Sequence, residues 1–400
     1  MKKISTIRKK TMFLSISLYF IFLFLIWWAF CGYLYVIYLL SLFKGEDKNA
    51  SASMVKSYPF ISILVPCYNE ENLVEQKVDN LKQINYPKDK FEVYFLDGLS
   101  SDTTYDKLTK LIKDSSNMKV LQTNCKGKIN QINFILPTLK SDIVLNTDMD
   151  AIMEPDTVQE LIKEFEKDTD IYVVGAYVAP QNCINMEKHY WETQNLQRVL
   201  ESKIYSASAV MAPCYAFKRE LLSKFPEDCV ADDIYISYLA NSLQKKTKYC
   251  DTTIVYETRC PNTIETLIQH KFRKANAYIM ELLRFSYLLP KMSNKWKIIY
   301  TTKMLQILFI PWILVFFALS SISFLLSNPG TVKIAIFAFM FLLISFVLAH
   351  YFVEKGRKQL EKSKYEKRSS IAVFLLTTLV LFFAGITYPF FSQTSNYKKI

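Results

Sequence analysis

Asp148 and Asp150 stand one residue apart, directly after the apolar run Ile143-Val144-Leu145. A continuous β-branched and aliphatic run is the pattern of a strand buried on both faces, which puts the two acids where the chain leaves its carboxyl end. That is the edge at which open α/β sheets bind ligands. If the backbone turns there, both carboxylates come to one point, and two hard oxygen donors suit Mg²⁺ or Mn²⁺ carrying a diphosphate. Asp-x-Asp alone is a weak signal, as a second copy, Asp168-Thr169-Asp170, makes plain. That copy precedes the strand-like run Ile171-Tyr172-Val173-Val174 instead of following one, and reads as a solvated turn.

Further acids fall at strand ends and helix starts. Asn69-Glu70 follows Val65-Pro66-Cys67-Tyr68 and opens a helix whose amino end favours anions. Leu96-Asp97 closes a second strand, and Ala231-Asp232-Asp233 opens a helix after a loop. Asp102 and Asp156 read as helix caps. Asp97, Asp150 and Asp233 are different, because all three would converge on one sheet edge.

The elements that must place these residues alternate between 60 and 259. Strands are expected at 60–65, 91–96, 119–122, 142–146, 171–178, 209–217 and 248–256. Helices are expected at 70–83, 102–113, 128–139, 156–166, 187–205 and 233–244. Strand then helix, repeated, means an α/β domain with a mostly parallel sheet.

Both ends of the chain are apolar. Residues 12–43 carry no charge and follow Lys2, Lys3, Arg8, Lys9 and Lys10. As one helix they reach about 48 Å, against roughly 30 Å of hydrocarbon, so the helix must tilt, extend beyond the bilayer or fold back near Gly32. A single crossing is the expectation. Three more apolar blocks, 304–326, 334–352 and 371–391, are each long enough to span. The connector 354–370 carries seven Lys and Arg residues and is expected on the cytoplasmic face. Two crossings separate it from the α/β domain, which places that domain on the same face. A single N-terminal crossing then leaves five basic residues outside, against the same rule. Residues 276–300 mix Tyr278, Ile279, Leu282, Leu283, Phe285 and Trp296 with Lys and Arg, as in a segment lying along a membrane surface or a packed helix.

The +12 net charge suits a cytoplasmic membrane face better than nucleic acid, which is not an expected partner. Eight cysteines without a C-x-x-C pair argue for a reducing compartment and against a disulfide framework or zinc site.

Taken together these motifs resemble the membrane-anchored family 2 glycosyltransferases, the cellulose, chitin and hyaluronan synthases and their non-processive relatives. Val65-Pro66-Cys67-Tyr68-Asn69-Glu70 is similar to that family's V-P-x-Y-N-E, and Asp97-Gly98-Leu99-Ser100-Ser101-Asp102 to its D-D-G-S-x-D. Gly127-Lys128 with Asn133 resembles G-K-x-x-x-x-N, Asp148-Met149-Asp150 its D-x-D, and Ala231-Asp232-Asp233 its T-E-D. Tyr215-Ala216-Phe217-Lys218-Arg219-Glu220 resembles Y-A-[FI]-R-R-E. Gly98 departs from the usual second aspartate. Ala231-Asp232 shortens Thr-Glu. The Q-x-x-R-W signature of processive synthases is absent, although Gln269 and Arg273 lie at its place.

The resemblance implies a GT-A-like α/β domain over 58–275, between an N-terminal anchor at 1–44 and a three-helix transmembrane region at 303–392. Segment 276–302 lies at the interface. It implies inverting transfer from a nucleoside-diphosphate sugar, most often UDP-linked, to a polysaccharide or lipid-linked acceptor at the cytoplasmic face of the cell membrane. Mg²⁺ or Mn²⁺ would sit on Asp148 and Asp150, and Asp233 would be the base. Pro66, Tyr68, Asn69, Glu70, Asp97, Lys128, Asp148, Gln269 and Arg273 would contact substrates. The alternatives are transfer of a single sugar to a lipid, and an inactive membrane scaffold that keeps the fold. A transporter is disfavoured by only four spans without ionisable residues well inside them.

Overall fold

The computed structural model describes residues 2–44, 55, 57–327, isolated positions between 336 and 351, and 371–388. The basic connector 354–370 and much of the expected span 334–352 lie outside the described residues.

The strands are β1 (Ile61–Cys67), β2 (Phe91–Asp97), β3 (Met118–Gln122), β4 (Ile143–Thr147), β5 (Ala151–Met153), β6 (Ile171–Pro180), β7 (Cys214–Lys218) and β8 (Lys246–Glu257). They form one sheet in the order β3-β2-β1-β4-β7-β6-β8-β5. β4 is buried at every position, as its apolar run requires. Its residues alternate between two cores, Ile143 and Leu145 on one face and Val144 on the other.

The sheet is mixed: most of its pairings are parallel, as expected, β6 with β8 among them, and three are antiparallel. β3, β2, β1 and β4 run parallel, but β7 lies antiparallel to both β4 and β6, and β5 antiparallel to β8. The reason lies at the Asp-x-Asp turn. Thr147 Oγ1 and Asp148 N both donate to Pro213 O, at 2.9 and 3.2 Å, so β7 starts where β4 ends. The strand expected from 209 begins only at Cys214, because Pro213 has no N–H to give a ladder. β5 was not expected at all. Three residues after Asp150 pair with the end of β8, between the strand expected at 142–146 and the helix expected at 156–166.

The expected helices form as α3 (Val74–Lys82), α4 (Thr104–Leu111), α5 (Lys128–Ile135), α6 (Thr157–Lys167), α7 (Asn185–Ile204) and α8 (Asp232–Ser242). They follow α1 (Lys2–Trp27) and α2 (Tyr33–Phe43), joined through one π-helical turn at Trp28–Gly32. There is no fold-back at Gly32. The Trp27 ring lies over it, 2.6 Å from where a Cβ would stand. α2 packs Tyr33 and Ile37 against α7, so this long helix runs on from its apolar segment into the α/β domain.

Beyond β8 come α9 (Ile264–Ser286), α10 (Asn294–Met304) and α11 (Ile310–Ser327), the last two joined by a π-turn at Leu305–Phe309. The boundary drawn at 276 falls inside α9. Ile279, Leu282, Phe285 and Trp296, read as facing a membrane surface or packed, are buried, whereas Leu283 and Ile298 are exposed. Trp296 and Phe285 surround Tyr238 of α8. Two stretches, Ile16–Phe43 and Asn294–Ile322, are long and apolar enough to cross a membrane. Phe20, Ile21 and Phe24 on one, and Phe316, Leu319 and Ile322 on the other, are exposed. Tyr19 and Phe317 join the two with ring centroids 5.0 Å apart. A further apolar helix, Ile371–Thr387, rests Ala384 on Ala275 and Ile279 of α9.

Candidate active site

The Asp-x-Asp turn stands over a buried lysine. Lys77 of α3 is wholly buried, and its Nζ donates to Thr147 Oγ1 (2.9 Å) and Ala151 O (2.6 Å), bracketing Asp148 and Asp150. Burial lowers this ammonium to about 8, against the pull of neighbouring Cys214 and of Asp148 and Asp150. Sequence reasoning missed it. The signal was its place on the apolar stripe Val74, Val78 and Leu81 of α3, where a lysine needs partners.

Above the turn each carboxylate meets a cation. Lys128, at the amino end of α5, is 2.8 Å from Asp148 Oδ1 and 3.1 Å from Asp232 Oδ2. Burial alone would lower its pKa, but Asp148 and Asp232 together hold it above the usual lysine value. Arg259 follows β8. Its Nη1 and Nη2 reach Glu70 at 2.9 and 3.3 Å, and its Nε lies 3.2 Å from Asp150 Oδ2. Arg259 was also missed, because strand ends were read for acids and this strand end carries a cation.

Burial raises the Asp150 carboxyl, as does Asp148 beside it, while Arg259 pulls it down. Among the described residues no group of three or more His, Cys, Asp or Glu forms a metal cage. Two carboxylates on one turn, with the remaining ligands left to phosphate and water, are a donor set that fits a hard divalent ion. The ion pairs engage Asp148 Oδ1 and Asp150 Oδ2, one oxygen of each carboxylate.

The start of α8 separates its two acids. Asp232 turns inward, where its Oδ2 accepts from Tyr215 Oη (2.6 Å) and pairs with Lys128. Asp233 is the more accessible, and accepts from Ala212 N (3.2 Å) and Ile234 N (2.9 Å). Burial and the Asp232 charge raise its carboxyl to about 6, opposed by Lys128 and Lys274. Glu257, the last residue of β8, was not singled out; burial raises it to about 7, with Lys274 opposing.

At the β1–β2 end, Asp97 is fully buried, with Oδ2 accepting from Ser100 N and Oδ1 lacking any partner among the described residues. Asn69 adopts φ 51° and exchanges bonds with Ser100 and Ser101, tying the two strand-end loops together. Pro66 is part-buried in β1 and Tyr68 is 38% exposed just beyond it. Gly98 has a reason of its own. A Cβ there would stand 1.9 Å from Gln131 Nε2, so the Gln131 amide occupies the place of a side chain.

Two further substrate contacts were expected on α9. Gln269 is exposed beside Glu265, and Arg273 lies 3.4 Å from His270 Nδ1. Lys274 is the α9 cation whose charge reaches Asp233 and Glu257, and its Nζ is 4.7 Å from the Trp191 ring centroid. The other acids behave as loop residues. Asp168 and Asp170 pair with Lys246 and Lys245, Asp102 caps the turn before α4, and Asp156 binds Asn85 and makes no cap bond of its own.

The model of the family described as Glycosyl transferase family 2 matches residues 62–225, which hold Asp97, Lys128, Asp148 and Asp150. That stretch is similar to family 2 glycosyltransferase domains. Asp232, Asp233 and Arg259 lie beyond the matched part of the domain. Over 158 residues the chain is 29% identical to a β-monoglucosyldiacylglycerol synthase of Trichormus variabilis, covering 39% of this chain and 33% of that protein. Over 155 residues it is 24% identical to a hyaluronan synthase of Pasteurella multocida, covering 38% of this chain and 16% of that one. The chain thus spans about a third or less of the length of these curated relatives. Among solved structures, a mannosyltransferase of Pyrobaculum calidifontis in complex with GDP-Man and Mn²⁺ superposes with a TM-score of 0.63 at 22% identity, over 87% of this chain and all of that one. The matched stretch therefore sits in a GT-A-like α/β fold.

Proposed function

We propose that this protein is a membrane-anchored, inverting glycosyltransferase that moves a sugar from a nucleoside-diphosphate donor to a carbohydrate or lipid-linked acceptor. The observation that carries the reading is the pairing of Lys128 with both Asp148 and Asp232, which gathers the Asp-x-Asp turn, the amino end of α5 and the start of α8 at one point. Asp97, Asn69 and the loops they join hold the nucleoside, most often uridine in the family. Lys128 meets the diphosphate at the α5 amino end, where backbone N–H groups also favour anions. A Mg²⁺ or Mn²⁺ on Asp148 and Asp150 would neutralise charge on the leaving diphosphate. Asp233 takes the proton of the acceptor hydroxyl as its oxygen attacks the anomeric carbon in line. The carbon–oxygen bond to the diphosphate breaks, and the nucleoside diphosphate leaves with the bonding electrons. Inversion gives a β-linked product from an α-linked donor.

The apolar helices hold this domain at a membrane, and the seven basic residues of the connector 354–370 favour the cytoplasmic face. A second reading, transfer of one sugar to a lipid, is favoured by the missing tryptophan after Arg273 and by a relative named as a diacylglycerol glycoside synthase. Purified protein in detergent, offered nucleotide sugars with membrane lipid extract and Mn²⁺, should give a glycosylated product by mass spectrometry. No product from any donor would reject both readings.

A further inference from the structure

Across the Glu70–Arg259 pair from the Asp-x-Asp turn lies an open cleft of about 680 Å³. That volume is in the range of small-ligand sites. Its walls come from the start of α3, the end of β6 and the segment after β8, and they carry Asn72, Gln76, Gln181, Asn182 and Asn262. None of these five carboxamides makes a side-chain hydrogen bond among the described residues. The charged groups of the cleft are committed. Arg259 binds Glu70 and Asp150, Glu71 Oε2 accepts from Thr103 N and Oγ1, and Asp102 accepts from Glu71 N and Thr104 N.

What this lining recognises follows by elimination. Among the described residues no aromatic ring lines the cleft, so a nucleobase has nothing there to stack on. Glu70, Glu71 and Asp102 oppose a phosphate, and the cleft's guanidinium already serves two carboxylates. A carboxamide offers both donor and acceptor without charge, which matches a ligand dense in neutral hydroxyls. The geometry points to a saccharide subsite, taking a neutral stretch of the acceptor or product glycan next to the transfer centre. This rests on the proposed glycosyltransferase reading and narrows its acceptor to one with a glycan portion. Arg259 and Glu70 form the wall next to the Asp-x-Asp turn, and Asn69 lines the border with the proposed nucleoside loops, so a glycan seated here lies alongside the reacting sugar.

The test is saturation-transfer difference NMR on the full-length protein in detergent with Mn²⁺. The probes are neutral β-linked hexasaccharides of glucose, N-acetylglucosamine and mannose, with UDP and GDP followed in the same samples. At least one hexasaccharide should bind the wild type, and N72A/Q181A/N262A should weaken it tenfold or more while nucleotide binding stays unchanged. These residues are exposed or part-exposed, and retained nucleotide binding certifies the fold. Hexasaccharide binding that survives the triple change, or that a nucleotide displaces, overturns the subsite. So does nucleotide binding with no hexasaccharide signal, which leaves the glycosyltransferase reading standing. Absence of both signals overturns that reading as well.

Discussion

Arg259 holds Asp150 with its Nε at 3.2 Å while its two terminal nitrogens grip Glu70, so one guanidinium spans two carboxylates 80 residues apart in the chain. In the absence of a divalent ion this cation offsets the repulsion that Asp148 and Glu70 exert on Asp150. Arg259→Ala should therefore destabilise the protein by about 1–3 kcal/mol, the lower end reflecting the partial exposure of the guanidinium. Mn²⁺ should then restore more thermal stability to the variant than it adds to the wild type. Equal Mn²⁺ shifts in Tm for the two proteins would contradict this coupling.

Metal removal should act through the same turn. Asp150→Asn should abolish transfer in a protein that remains folded and membrane-bound. EDTA should silence the wild type and Mn²⁺ or Mg²⁺ should restore it, measured as product formed per unit protein. Undiminished turnover in EDTA would take the metal out of the mechanism.

As the proposed base, Asp233 should set the pH profile. With its carboxyl raised to about 6, the base is protonated and inactive below that pH and available above it. Wild-type kcat/KM should therefore rise with pH through about 6 and then level off. Asp233→Asn should bind donor normally, lose ~10²-fold or more in turnover and lose this acidic limb. Glu257→Gln should keep the limb. If the limb disappears in Glu257→Gln and persists in Asp233→Asn, the base is Glu257.

Asp232 plays a different part from its neighbour. Its buried Oδ2 receives Tyr215 Oη and Lys128, so Asp232→Asn leaves a part-exposed ammonium short of charge and disturbs the phenol's acceptor. A loss of about 1–3 kcal/mol in stability is expected. Turnover should fall through misplacement of Lys128, with the pH profile retained. Denaturant unfolding and a pH series on the same variant separate the two effects.

The amino-acid sequence determined the alternation of strands and helices, the Asp-x-Asp at the end of a buried strand, and the two acids opening α8. Those features are local: a period of two or 3.6 residues and the chemistry of a chain terminus are written within a dozen positions. The tertiary structure decided the rest. β7 enters antiparallel beside β4 because Pro213 O receives Thr147 and Asp148, a contact between segments 66 residues apart. β5 exists because β8 offers it an edge. Lys77 and Arg259 reach the Asp-x-Asp turn from elsewhere in the chain, and only packing shows that they do. Asp232 and Asp233 are adjacent and chemically identical. They diverge because a helix turns successive side chains apart, and one of them meets Tyr215 and Lys128 in the core.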